Sequence, residues 1–134
     1  MKMHAFRPIV VAVALAFSIP VMFSGCVAIL AAGAAGGAVA YVRGALNATL
    51  SEQIEDVQKA VKQSIRNDLK FTLISAKEDA VGAEYEARTS RDDKIIIRLD
   101  RASDSTTKIQ IRVGVFGDEA MSWHILETIK TRLS

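Results

Sequence analysis

Apolar and polar residues follow four different rhythms along this chain. The first is a largely apolar run from Pro8 to Met22, with Ser18 its one polar residue, preceded by Lys2 and Arg7. A positive start followed by an apolar stretch of this length is the pattern of a secretory leader. Pro20 and the small pair Ser24-Gly25 interrupt it before it reaches the roughly 20 residues of a membrane-spanning helix. The second rhythm is a low-bulk stretch, Val27 to Ala40, with no charge and with glycine at 33, 36 and 37. Each glycine costs up to about 1 kcal/mol inside a helix, so this stretch predicts a tether. Close packing of a small-residue helix is the other reading.

Period-two alternation begins at Tyr41 and predicts a strand to Leu50, with Val42, Leu46, Ala48 and Leu50 on one face. Ile54, Val57, Val61, Ile65 and Leu69 then recur at three and four, the spacing of an amphipathic helix. Thr49 or Ser51 is the expected N-cap, Thr49 with Glu52 having capping-box spacing. Four alternating segments follow. They hold Phe71, Leu73 and Ile74; then Val81, Ala83, Tyr85 and Ala87; then Ile95, Ile97 and Leu99; and then Ile109, Ile111, Val113 and Val115. Short polar connections at 77–79, 90–93 and 102–105 predict hairpins and therefore antiparallel pairing. Asp118 is placed to cap a last helix with Met121, Ile125, Leu126, Ile129 and Leu133 on its apolar stripe.

The predicted order is β-α-β-β-β-β-α. Two helices and one alternating sheet bury their apolar sides only against each other. The expected fold is thus an α+β two-layer sandwich with an antiparallel sheet. The expected division is a leader at 1–25, a tether at 26–40 and a domain at 41–134.

Cysteine content sharpens the picture. Cys26 is the only cysteine, and it stands where the apolar leader ends. Phe23-Ser24-Gly25-Cys26 resembles the bacterial lipobox, with Phe in place of the usual Leu at its first position. That resemblance implies cleavage before Cys26, a diacylglycerol on its thiol and usually an acylated amine. The alternatives are a soluble secreted protein or an uncleaved anchor. One acyl chain holds a protein only marginally, whereas two or three hold it firmly. Val27 after the cysteine resembles outer-membrane sorting, which implies a position facing the periplasm.

Charge removes some partners. The chain has 17 Lys and Arg against 15 Asp and Glu, and two of the basic residues lie in the leader. The rest is balanced, which argues against a nucleic-acid or polybasic membrane partner.

The chain also resembles a family of small bacterial lipoproteins whose domain has no known function. The resemblance rests on the Cys26 lipobox, the Gly/Ala tether, Tyr41-Val42-Arg43-Gly44 followed by Leu46, and Arg112-Val113-Gly114-Val115-Phe116-Gly117-Asp118-Glu119. It implies an envelope location and this fold, and it implies no activity.

No catalytic constellation is expected. His124 is the only histidine beyond the leader, and one His without a free Cys is insufficient for a metal site. Asp92-Asp93 read as a turn. Glu84 and Glu86 read as a solvated sheet face, pairing across strands with Arg98 or Arg112. Gly114 and Gly117 read as a strand-to-helix turn, since Asp118 and Glu119 would repel a phosphate there. Trp123 falls about 120° from the centre of the last helix's apolar stripe. It reads either as cover for the sheet rim or, with the adjacent His124, as a contact for a partner. The expectation is a non-enzymatic structural or interaction module without cofactor, anchored to the membrane through lipid on Cys26 and meeting an unknown envelope protein. The alternative is a small carrier of a lipid or other hydrophobic ligand, which would need an apolar void between sheet and helices.

Overall fold

The computed structural model describes residues 38–134. Cys26, the leader and nearly all of the expected tether lie outside the described residues. The elements are β1 (Val39–Val42), β2 (Ala45–Leu50), α1 (Ile54–Gln63), a π-helical turn (Ser64–Asp68), β3 (Thr72–Glu78), β4 (Gly82–Arg88), β5 (Lys94–Ser103), β6 (Thr106–Val113) and α2 (Glu119–Leu133). All six strands form one antiparallel sheet in the order β1-β2-β6-β5-β4-β3. The expected α+β sandwich is therefore the observed one.

Its core follows from the two periodicities. Leu46, Ala48 and Leu50 of β2, Ile109, Ile111 and Val113 of β6, and Ile95, Ile97 and Leu99 of β5 are buried on one sheet face. Ile54, Val57 and Val61 of α1 and Ile125, Leu126 and Ile129 of α2 join the same cluster. Both helices thus lie on one side, and the other face of the sheet is wet. Asp118 caps α2 as expected, its Oδ1 accepting from the Met121 N–H at 3.0 Å.

Four local expectations are corrected. The stretch expected as one strand from Tyr41 to Leu50 is a hairpin, with Tyr41 opposite Leu46 and Val42 opposite Ala45. Arg43 and Gly44 both have positive φ (52° and 78°), as a two-residue primed hairpin turn requires. Across this turn the inward face passes from the odd positions Val39 and Tyr41 to the even positions Leu46, Ala48 and Leu50, and because the outward Val42 is apolar as well, the sequence pattern does not reveal the change. Val42 accordingly faces outward, and Val39, from the expected tether, is buried in β1.

Thr49 and Ser51 do not cap α1, because β2 continues to Leu50 and the helix starts after Gln53, which makes no side-chain cap. Instead the Thr107 hydroxyl donates to the Glu52 carbonyl at 2.9 Å, fastening the β2–α1 link to β6. Ile74 occupies a β-bulge between Leu73, opposite Ala87, and Ser75, opposite Glu86, and the extra residue turns it to solvent. Val81 and Val115 lie just outside their strands and are exposed.

Candidate functional site

The two segments that carry the family resemblance are about 70 residues apart in sequence and touch in space. The β1–β2 turn lies against the β6–α2 connection. A Cβ on Gly44 would stand 2.8 Å from the Phe116 carbonyl oxygen. One on Gly117, whose φ is +85°, would strike the Tyr41 hydroxyl and stand 2.5 Å from the Gly44 Cα. Both glycines therefore serve a backbone-to-backbone contact that no side chain would permit.

Arg112 fixes the junction from the wet face. Its guanidinium donates to the Val115 carbonyl at 2.8 Å and the Arg43 carbonyl at 3.4 Å. One cation thus bridges the two turns, rather than pairing with Glu84 or Glu86 as a cross-strand ion pair. Those carboxylates have other partners: Arg98 lies 2.7 Å from Glu84, and Lys94 lies 3.5 Å from Glu86. The bond from Arg98 holds the Glu84 carboxyl below its usual range.

The junction presents an apolar tip. Phe116 is 94% exposed, Val115 80% and Val42 51%. Positive φ at Gly114 (69°) and Gly117 lifts Val115 and Phe116 out of the sheet line. Sequence reasoning assigned Val115 to the buried strand face, because the alternation runs through it unchanged. The available signal was the pair of glycines bracketing two apolar residues, a spacing that suits a projecting turn better than a strand.

Trp123 is half-buried and packs against the core cluster, beside exposed His124. Asp92 and Asp93 belong to the β4–β5 turn, where they sit 3.1 Å from Arg88 and 3.8 Å from Arg91. Among the described residues no group of three His, Cys, Asp or Glu side chains converges in a metal-binding arrangement.

The buried Tyr85 hydroxyl donates to Glu78, which also pairs with Lys62 at 3.0 Å. Burial, with this bond second, pushes the Tyr85 phenol well above its usual 10. The bond from Tyr85 in turn holds the Glu78 carboxyl down. This trio ties α1 to the β3–β4 hairpin. A phenol so hard to ionise is a poor acid or nucleophile near neutral pH.

Surface concavities are polar-rimmed. One of about 550 Å³ runs beside the tip between Arg88, Lys94, Ile96, Arg112 and Val115. Another of about 320 Å³ lies on the wet sheet face along Val42, Arg98, Gln110 and Arg112. Between sheet and helices the core side chains pack in one cluster, and a concavity of about 380 Å³ opens at its edge between Leu50, Glu52, Glu127, Lys130 and Leu133.

Fold and junction together define a class: an α+β domain in which two helices cover one face of a six-stranded antiparallel sheet, and two glycine turns lock its end. The chain belongs to a family of proteins of unknown function, DUF3568, whose pattern matches residues 8–132. No curated protein matches it at a significant level.

Proposed function

We propose that this chain is a lipid-anchored protein of the bacterial envelope whose domain serves as a non-catalytic structural or interaction module. The observation that carries this reading is the apolar run ending in Ser24-Gly25-Cys26, thirteen residues before Val39 of β1. The family match begins inside that run, at residue 8, which supports treating leader and domain as one unit. Among the described residues no helix is long and apolar enough to cross a membrane, so in this reading attachment rests on Cys26.

The single packed cluster of core side chains favours an interaction module over a carrier of hydrophobic ligands, since a carrier needs an apolar void. Val27 after the cysteine favours the outer membrane, facing the periplasm. Trp123 and His124 offer one contact for an envelope protein, and the junction tip offers another. The test is incorporation of labelled palmitate by the full chain in a bacterial host. The wild type should take up label and lose 25 residues, whereas Cys26→Ser should take up none and persist as the longer precursor. Equal labelling of both would refute the reading.

A further inference from the structure

We propose that the tip formed by Val42, Val115 and Phe116 is a second membrane contact, which seats the domain on the bilayer surface. This rests on the lipid-anchor reading for its setting, and on the geometry of the tip for its substance.

Phe116 is almost wholly exposed on a turn that is held rigid from three sides. Gly44 and Gly117 lie in backbone contact, the Arg112 guanidinium bridges the Arg43 and Val115 carbonyls, and Asp118 starts the helix behind it. A rigid, aimed aromatic loses little conformational freedom when it is buried.

The size of the patch selects the occupant. Three side chains offer a few hundred Å². A stable protein interface takes roughly 800 Å² from each partner. A bilayer makes no such demand on a tethered domain, because the tether supplies a high local concentration. Reach is sufficient: twelve Cα steps from Cys26 to Ala38 span at most about 40 Å, and Val42 is four further steps on.

Charge selects the mode of contact. At this end Arg88, Arg91 and Lys94 pair with Asp92, Asp93 and Glu86, Arg112 is engaged by backbone carbonyls, and Asp118 and Glu119 add negative charge at the start of α2. Attraction to anionic lipid is therefore weak, and the contact is apolar insertion at the headgroup boundary. Zwitterionic lipid should serve as well as anionic lipid.

The test uses the full chain reconstituted into phosphatidylcholine vesicles, with an environment-sensitive nitrobenzoxadiazole dye on Val115→Cys. Ser105→Cys, in the turn at the opposite end of the sheet, is the control. Dye emission should rise severalfold at 115 and stay at its aqueous level at 105. Phe116→Asp should abolish the rise while the protein still sediments with the vesicles through Cys26. Sedimentation without a rise at 115 would overturn the tip proposal and leave the anchor reading intact. A rise that persists in Cys26→Ser together with unchanged sedimentation would sink the anchor reading and leave the tip standing. Neither sedimentation nor a rise would remove both. A rise that needs added envelope proteins and is absent in pure lipid would assign the tip to a protein partner and overturn the proposal.

Discussion

Gly117→Ala isolates the glycine contact that locks the tip. An added methyl meets two penalties there. The first is the left-handed backbone: φ is +85°, and a Cβ in that region costs roughly 1–2 kcal/mol. The second is steric, because the methyl would lie 2.5 Å from the Gly44 Cα and carbonyl oxygen, backbone atoms that cannot swing aside. Overpacking of this kind costs typically about 1–3 kcal/mol. Alanine also restricts the unfolded chain, which returns about 0.4–1 kcal/mol. The expected net loss is about 2–4 kcal/mol. Gly114→Ala supplies the comparison, with φ +69° but nothing within 4 Å of the new methyl. It should show the backbone penalty alone, a net loss of about 1 kcal/mol or less. Gly44→Ala should fall between them, since its nearest contact is 2.8 Å. The assay is urea unfolding followed by far-UV circular dichroism, with the slope unchanged if only the native state is affected. For a domain this small, each kcal/mol shifts the melting temperature by roughly 4–8 °C. Equal losses at 114 and 117 would refute the locked junction.

Three further outcomes are expected. Ile111→Ala, fully buried between Leu46 and Ile97, should cost about 2–5 kcal/mol in the same assay, and a loss of a few tenths would place it outside the core. Asp118→Ala should cost about 0.5–2 kcal/mol through the lost cap, with the β6–α2 amides exchanging faster by NMR. Glu78 should lend stability above its ordinary 4.5 that is lost as the pH falls through its lower folded value, because the unfolded chain takes the proton first. Tyr85→Phe removes the first cause of that lowering, so a melting-temperature profile between pH 5 and 2 should lose less stability on acidification than the wild type, and an unchanged acid limb would contradict the assignment.

Much of this fold was legible because burial is one-sided. In β4, β5 and β6 the buried and wet positions alternate, so a pattern of period two reports burial directly. In α1 and α2 a period near 3.6 does the same. What was not legible arises where geometry leaves the pattern untouched. The Arg43-Gly44 turn reverses the chain in two residues and moves the buried phase from odd to even positions, but Val42 is apolar on the outward side, so the sequence reads as one strand. The bulge at Ile74 adds one residue within an apolar stretch, and nothing local marks it. Val115 continues the rhythm of β6 past the glycine that ends the strand. Arg112 reads as a sheet-face cation that should seek a carboxylate. Its carbonyl partners are assembled only when residues 43 and 115 meet, a contact between distant parts of the chain that local periodicity does not encode.

That contact gives the two recognisable motifs a shared physical reason. Tyr41-Val42-Arg43-Gly44 and Arg112-Val113-Gly114-Val115-Phe116-Gly117 are the halves of one joint. Gly44 and Gly117 permit the approach, Tyr41 packs over it and Arg112 pins it, and none of these four requires a ligand to explain it. The residues left without a structural role are Val115 and Phe116, whose exposed side chains stand on a turn held by Gly44, Gly117 and Arg112. Exposing an aromatic side chain in water is unfavourable, and a flexible loop would let it fold back onto the domain. Here the joint denies it that escape. Replacing Phe116 with Ser should therefore leave urea stability within about 0.5 kcal/mol of wild type, as expected for a surface position away from caps and core. A loss above about 2 kcal/mol would mean that Phe116 packs against the domain after all, and the case for the tip as a contact surface would fall with it.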